Sequence, residues 1–188
     1  MDITKTLYVA KRKDWRDWLK KHYKTEKEIW LVYYKIQSGK PRIPYEDAVE
    51  EALCFGWIDS TVKPLDDERY AQRFSPRNPK SAYSQPNKER LRMLARKGRV
   101  AKDVLASLGN ILKEKFKVPP DILQAIKADP RVWKNFQSYP KAYQRIRIAF
   151  VDGSRKRPEE FKKRLNYFIK MTGQNKQIGF GIDKFLKW

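Results

Sequence analysis

Residues 54–84 read CFGWIDSTVKPLDDERYAQRFSPRNPKSAYS, and this stretch decides the fold of the first half of the chain. Two runs rich in aromatic and β-branched residues, Trp57 to Leu65 and Arg69 to Ser75, flank the acidic segment Asp66 to Glu68. Runs of this kind around a short polar turn predict a β-hairpin. Gly56, just before the first run, indicates where the preceding helix ends.

The neighbouring segments extend this pattern into a small sheet with helices. Ile29 to Ile36 is an almost continuous run of β-branched and aromatic residues, which predicts a central strand buried on both faces. From Pro86 onward the strand pattern gives way to apolar residues at helical spacing. The predicted fold class is therefore α+β: a small β-sheet with packed helices in the N-terminal part, followed by a helical C-terminal lobe.

The chain is long enough for one main domain and a smaller lobe. The segment Gly109 to Pro120 has the composition of a linker, because it ends in two prolines that open the next helix. We therefore expect an α+β domain over residues 1–117 and a helical region over 118–188. The tail from Ile178 to Trp188 is aromatic enough that we expect it to dock.

Charge is the strongest compositional feature. The 188 residues include 43 Lys and Arg against 22 Asp and Glu, for a formal net charge of +21. Residues 1–100 carry 23 basic and 14 acidic residues, and residues 101–188 carry 20 and 8, so the bias runs through the whole chain. Such an excess points to an anionic partner, although a basic surface that only keeps molecules apart is the alternative.

Apolar runs and cysteine content bear on location. No stretch approaches the roughly 18 apolar residues of a membrane span, and the first residues lack the apolar core of a signal peptide. A single cysteine, Cys54, excludes an intramolecular disulfide framework and fits a reducing compartment. We expect a cytoplasmic protein without a transmembrane segment, and the sequence leaves its oligomeric state open.

Several motifs carry a family resemblance. The strings EALCFGWIDS, LDDERY and RFSPRNPKS, followed by Asn87 to Arg90, resemble the YdeI/OmpD-associated family, whose members are described as bacteriocin-protection proteins. Pro119 to Pro130, Tyr139 to Tyr143 and the basic stretch Arg155 to Arg164 add a looser match. The resemblance is strongest in residues 46–90 and loose after residue 118.

Two positions depart from the family pattern. Tyr83 stands where a tryptophan is usual, and the usual Thr-Arg pair is replaced around Glu159 to Phe161. The resemblance implies a fold and a protective, stress-linked role without catalysis. It supplies no catalytic residues and no cofactor to carry over.

Residues suited to common catalytic or metal sites are scarce. One histidine, His22, and one cysteine cannot form a Cys/His zinc site within one chain. Cys54 stands between apolar neighbours, where a small buried residue is the ordinary role and a nucleophile the less common one. The acidic segment Asp66 to Glu68 is typical of a solvated turn rather than of a metal site. We predict no catalytic residue, no metal and no cofactor.

Asp59 follows the apolar residues Trp57 and Ile58, so its carboxylate must either reach solvent or find a partner such as Arg73. A structural ion pair is the preferred interpretation. The alternative is a pocket that contains Trp57 and Asp59, and a deep cleft there would favour an enzyme.

The window from residue 69 to 102 holds eleven Lys and Arg and one acid, Glu89, which gives it a formal charge of +10. Five of these cations are predicted to bind anions, and three interleaved aromatics are candidates for the same surface. They are Arg69, Arg73, Arg77, Lys80 and Arg90, with Tyr70, Phe74 and Tyr83. The open alternative is that Arg69 and Arg73 pair with Asp66, Asp67 and Asp59, and that Tyr70 and Phe74 face inward.

Two main classes of function follow, with a third behind them. The preferred one is a non-enzymatic protection protein that binds an acidic macromolecule, whether a protein, an envelope component or a nucleic acid, through this cationic surface. The alternative is a dedicated nucleic-acid-binding protein, which charge and aromatics favour but for which no recognised motif is present. An enzyme with a cleft around Asp59 is the third.

Overall fold

The computed structural model describes residues 2–179. It divides the chain into two compact units, Met1–Leu112 and Lys113–Trp188. The boundary predicted from the sequence lay between residues 117 and 118. The part of the predicted docking tail from residue 180 onward lies outside the described residues.

The first unit contains a four-stranded sheet in the order β1-β2-β4-β3. Its strands are β1 (Thr6–Tyr8), β2 (Ile29–Tyr34), β3 (Trp57–Pro64) and β4 (Arg69–Pro76). β1 is parallel to β2, whereas β4 is antiparallel to both β2 and β3. β3 and β4 form the predicted hairpin, and a register irregularity falls between Asp59 and Val62.

The helices of this unit are α1 (Arg12–His22), α2 (Tyr45–Cys54), α3 (Gln85–Arg96) and α4 (Lys102–Ser107). α1 buries Trp15 and Leu19, which are spaced four residues apart and lie on the same face. α2 is buried along nearly its whole length, and Gly56 follows it with a φ of 72°, in the left-handed region that glycine adopts without strain.

β2 is buried on both faces, as its composition predicts. Ile29, Leu31 and Tyr33 join the hydrophobic core formed with the helices. Trp30 and Val32, which alternate with them, are also buried. The predicted fold class, a small sheet with helices followed by a helical C-terminal part, is confirmed.

The second unit is helical over its described residues. Its helices are α5 (Pro120–Lys127), α6 (Pro130–Ser138), α7 (Lys141–Asp152) and α8 (Pro158–Gly173). Proline occupies the first turn of α5, α6 and α8, where its missing N–H costs no helical hydrogen bond. Asp129 caps α6 by accepting hydrogen bonds from the backbone N–H groups of Arg131 and Val132.

The core of this second unit consists of buried residues from all four helices: Ile122, Ile126, Val132, Phe136, Ile148, Val151 and Phe168. Across residues 2–179, no helix combines the length and the apolar character needed to cross a membrane.

A buried carboxylate ties the elements of the first unit together. Glu51 on α2 is 0 % exposed, and three arginines surround it. Its oxygens accept hydrogen bonds from Arg12 (2.5 Å) and Arg16 (2.6 Å) of α1 and from Arg99 (2.6 Å), which follows α3. Arg12 also pairs with Glu50 (2.8 Å), so acids and bases alternate through this network.

Replacing Glu51 with Gln tests this network. We expect the free energy of unfolding to fall by about 3 kcal/mol, because the change leaves guanidinium groups without their shared counter-charge. Urea denaturation followed by tryptophan fluorescence measures the change.

Glu26→Gln is the matched control. Glu26 pairs with Lys5 (2.7 Å) at an exposed position, where solvent screens a single ion pair, so we expect a much smaller change in the free energy of unfolding. Equal effects of the two substitutions would contradict a special role for Glu51.

Candidate functional site

The pleat of β4 separates the predicted site residues into two sets. Tyr70, Gln72 and Phe74 lie on the side of the sheet that faces the helices. Tyr70 stacks on Tyr33 with ring centroids 5.2 Å apart, and Phe74 meets Trp15 edge-on at 5.4 Å. Arg69 and Arg73 alternate with these residues and therefore lie on the opposite face.

Both outward arginines have carboxylate partners. Arg69 pairs with Asp66 (2.6 Å), which also accepts hydrogen bonds from two backbone N–H groups of the hairpin turn, and the hydrogen bond from Arg69 lowers the pKa of Asp66. Arg73 pairs with Glu28 (2.6 Å) on the neighbouring chain segment. The open alternative to anion binding is thus realised for both residues, with Glu28 in place of Asp59 as the partner of Arg73.

Arg90 is buried on α3 and pairs with Glu46 at the start of α2. It also donates a hydrogen bond to the side chain of Asn87 (3.0 Å). As an exposed anion-binding residue Arg90 is therefore a wrong prediction, because its guanidinium joins two helices inside the fold.

Two of the predicted aromatic and pocket residues belong to the core. Phe74 is fully buried, so its assignment to an aromatic surface is wrong. Trp57 is also buried, and its indole N–H donates to the backbone carbonyl of Tyr23 (3.0 Å). Trp57 therefore packs under the sheet rather than lining an open pocket.

Three further predicted residues, Arg77, Lys80 and Tyr83, lie in the segment after β4, which we name the Arg77 loop (residues 77–84). The guanidinium of Arg77 stacks 3.8 Å from the ring centroid of Tyr83 and donates to the backbone carbonyls of Ser81 (2.7 Å) and Ala82 (2.6 Å). Its Nε atom is buried and has no hydrogen-bond acceptor among the described residues. Lys80 is exposed in the same loop.

The Arg77 loop differs from the rest of the cationic window in its partners. Within residues 2–179, neither Arg77 nor Lys80 has a carboxylate within ion-pair distance, in contrast to Arg69, Arg73 and Arg90. The loop therefore presents two positive charges that the described fold does not neutralise.

Asp59 belongs to a separate polar group, which we name the tyrosine–aspartate cluster. One oxygen of its carboxylate accepts hydrogen bonds from the hydroxyl of Tyr45 (2.8 Å) and the amide of Gln72 (2.9 Å). The stacked rings of Tyr33 and Tyr70 complete the cluster. Asp59 is thus held by two neutral donors and not by the arginine that the sequence suggested.

The hydroxyl of Tyr33 is buried and has no hydrogen-bond partner among the described residues. Burial raises the pKa of Tyr33, and the nearby Tyr70, Tyr45 and Asp59 raise it further. Burial and the Asp59 carboxylate likewise raise the pKa of Tyr45. Both phenols therefore stay protonated well above neutral pH. The cluster offers hydroxyl donors around a single carboxylate.

The sequence missed Tyr33, Tyr45 and Gln72 as members of this cluster. Tyr33 and Gln72 lie on paired strands and face the same side of the sheet. Strand alternation predicts that both side chains point inward, but it does not predict which groups they meet. Only the register, which sets Tyr33 opposite Tyr70 and Leu31 opposite Gln72, brings their polar atoms near Asp59.

A small cavity of about 310 Å³ lies elsewhere in the first unit and is lined by Arg92, Ala95, Arg96 and Leu112. Arg92 is held there by Glu89 (2.8 Å) and by the backbone carbonyl of Leu112 (3.2 Å). No group of three or more His, Cys, Asp or Glu side chains suited to a metal ion occurs in the part of the chain that the structure describes.

Two family models match this chain, one in each unit. A family model described as "Domain of unknown function (DUF8412)" matches residues 7–107, which is more than half of the 188 residues. The chain belongs to the DUF8412 family. The matched range includes strands β2, β3 and β4, all of β1 except Thr6, the Arg77 loop and the tyrosine–aspartate cluster.

A second model, described as "Bacteriocin-protection, YdeI or OmpD-Associated", matches residues 115–175. The predicted resemblance is thus confirmed for the C-terminal part, whereas residues 46–90, which carry its strongest motifs, fall within the DUF8412 match. No match to a curated protein or to a solved structure was found.

Tyr33 and Tyr45 of the tyrosine–aspartate cluster should respond differently to loss of their hydroxyls. Tyr33→Phe removes a buried hydroxyl without a partner, so we expect the free energy of unfolding to stay the same or to rise by about 1 kcal/mol. Tyr45→Phe removes a donor to Asp59, so we expect a loss of about 1 kcal/mol. Urea denaturation of both variants at neutral pH measures the pair.

The raised pKa values also fix how this stability depends on pH. The unfolded chain ionises its tyrosines near pH 10 while the folded state keeps Tyr33 and Tyr45 neutral, so their contribution is complete below pH 10 and is lost as the pH rises above it. Tyr33→Phe should flatten this decline. An unchanged decline in Tyr33→Phe would contradict the assignment.

Cys54 should be inert in the folded DUF8412 domain. The thiol is fully buried, and burial together with the Glu51 carboxylate raises its pKa to about 11. We expect reaction with Ellman's reagent at pH 8 to proceed only after unfolding in urea, because the thiolate is both scarce and covered. Rapid labelling of the native protein would show that the thiol is accessible and reactive, as a nucleophilic role of Cys54 requires.

Proposed function

We propose that this protein is a non-enzymatic binding protein that contacts an anionic macromolecule through the Arg77 loop. The observation that carries the proposal is the state of Arg77. Its guanidinium is oriented by two carbonyls and one aromatic ring, and it lacks a carboxylate partner among the described residues.

The electrostatics of the chain support this proposal. A net charge of +21 exceeds what solubility requires and favours association with polyanions. The structure assigns partners to many of the basic residues in the first unit, among them Arg12, Arg16, Arg69, Arg73 and Arg90. Binding then depends on those cations that remain without acids, and Arg77 and Lys80 are two of them in one loop.

The geometry of the loop supports it further. Stacking on Tyr83 fixes the plane of the guanidinium, so that little side-chain entropy is lost when an anion binds. Because Nη2 donates to both carbonyls and Nε is buried, the guanidinium meets an anion through Nη1, in a charge-assisted hydrogen bond. The half-buried ring of Tyr83 adds an apolar surface beside the charge.

The family match bears on the biological setting of the proposal. Residues 115–175 resemble proteins described by the words bacteriocin protection. We propose a protective, stress-linked role of this kind, in the cytoplasm, where a single reduced thiol such as Cys54 is ordinary. A nucleic acid is the second candidate partner, favoured by the pairing of guanidinium and tyrosine ring in the loop.

Removal of both loop charges tests the proposal. We expect Arg77→Gln with Lys80→Gln to weaken binding to labelled single-stranded oligonucleotide, polyglutamate or anionic lipid vesicles by about tenfold or more at near-physiological salt. Fluorescence anisotropy for the first two probes and co-sedimentation for the vesicles measure the change. The probe bound most tightly identifies the class of partner.

Lys162→Gln with Lys163→Gln is the matched control, because it removes the same charge from exposed positions of α8. We expect this pair to lower affinity by less than about threefold. A salt series then separates the partners, because binding to a phosphate chain weakens log-linearly with salt and the loop variant lowers that slope by about one or two. Equal losses from the two pairs would sink the proposal and leave only diffuse charge.

A further inference from the structure

Arg147 is the one buried arginine of the second unit whose charge has no counterpart among the described residues. It lies on α7 and is 8 % exposed. Its Nε atom is buried without a hydrogen-bond acceptor, and no carboxylate within residues 2–179 pairs with its guanidinium. Burial holds the pKa of Arg147 below its ordinary value, which shows that the surroundings disfavour the charge.

The groups that surround Arg147 are aromatic. Its guanidinium carbon lies 4.7 Å from the ring centroid of Phe150 and 6.0 Å from that of Phe168. The side chains of Tyr143 and Tyr167 are close enough to act on it electrostatically. Contacts with aromatic faces offset part of the cost of burying a cation, and they satisfy none of its N–H donors.

The neighbouring cation Arg164 shows what a satisfied arginine looks like in the same place. It also stacks on Phe150, at 4.0 Å, but its guanidinium is bound by the carboxylate of Glu160 (2.6 Å) and by the backbone carbonyl of Phe150 (3.1 Å). Arg147 contacts aromatic rings in the same way, but no carboxylate or carbonyl of the described residues accepts a hydrogen bond from it. One positive charge therefore remains for a ligand to neutralise.

Two exposed aromatics mark this place on the surface. Phe150 is 45 % exposed and Tyr167 is 53 % exposed, so both rings are accessible to a ligand. Arginine and tyrosine are enriched among the interface residues that carry most of the binding energy, and phenylalanine is enriched at interfaces in general. A ligand that reaches the guanidinium of Arg147 therefore also contacts these two aromatic rings.

We propose that Arg147, Phe150 and Tyr167 form a binding site for a carboxylate attached to an aromatic or apolar body. A carboxylate matches the planar donor fork of a guanidinium, and one negative charge matches the one unneutralised cation. The body of the ligand packs against Phe150 and Tyr167. The carboxylate comes either from a free carboxylic acid or from the end of a polypeptide, and the two share this chemistry.

This site is separate from the Arg77 loop, so either can fail without the other. The loop lies in the DUF8412 match, and Arg147 lies in the residues that match the bacteriocin-protection model. Every residue used for the carboxylate site belongs to the second unit.

The experiment is a titration of the full-length protein, labelled with ¹⁵N, in which the Nε–Hε resonance of Arg147 is followed. The probes are benzoate and a short peptide that ends in a free phenylalanine carboxylate, each beside its neutral amide. We expect the two carboxylates to shift the Arg147 resonance saturably and to raise Tm, and the amides to do neither. Tighter binding of benzoate would point to a free acid as the source, and tighter binding of the peptide to a polypeptide end.

Arg147→Met and Arg131→Met are the matched variants, since Arg131 is an exposed arginine on α6. Arg147→Met lacks the Arg147 resonance, so binding to both variants is measured by the rise of Tm with ligand concentration. We expect Arg147→Met to weaken binding of both carboxylates by at least about tenfold and to raise the Tm of the free protein, because it removes an uncompensated buried charge. Arg131→Met should leave both unchanged.

Three results would overturn the site. They are binding that is equal in Arg147→Met and Arg131→Met, amides that act as strongly as carboxylates, and no shift of the Arg147 resonance by either carboxylate. A Tm that falls in Arg147→Met would show instead that the guanidinium supports the fold by itself.

Discussion

The pleat of strand β4 is the constraint on which the first unit depends. Successive side chains of a strand point to opposite faces of the sheet. The side chains of Tyr70, Gln72 and Phe74 therefore lie on the face covered by helices, and those of Arg69 and Arg73 lie on the other face. Because β4 lies between β2 and β3, its inward residues meet both neighbours at once. The core contact of Phe74 with Trp15 and the polar contact of Gln72 with Asp59 both follow from this one alternation.

The same constraint explains what becomes of the cationic window. The two arginines on the outer face of the sheet form ion pairs with Asp66 of the hairpin turn and with Glu28, which precedes β2. Arg90 approaches α2 from a helix and reaches Glu46. Some cations of the window from residue 69 to 102 are therefore neutralised by ion pairs in the fold, and others are not. The Arg77 loop stands out because it follows β4 after the pairing ends and folds back on its own carbonyls.

Buried charge is treated in two different ways in this protein. Glu51 is wholly enclosed, yet three arginines approach it from two other segments, so that the cost of its burial is offset by ion pairs. Arg147 is nearly as enclosed and is met by aromatic rings instead. The first arrangement is complete within the chain. The second lacks an acceptor in the described residues, and this is the observation behind the proposed carboxylate site.

The sequence by itself determined the α+β class, the hairpin from Trp57 to Pro76, the central strand β2 and the helical C-terminal part. These follow from local periodicity and from glycine and proline, which act over a few residues. Only the tertiary structure decided which cations keep their charge available, because ion pairs such as Arg73 with Glu28 and Arg90 with Glu46 join residues more than forty positions apart. It also decided that Tyr33 and Tyr45 gather at Asp59 and that Arg147 lacks an acid. Partner choice across such separations depends on strand register and helix packing, and no local pattern encodes either.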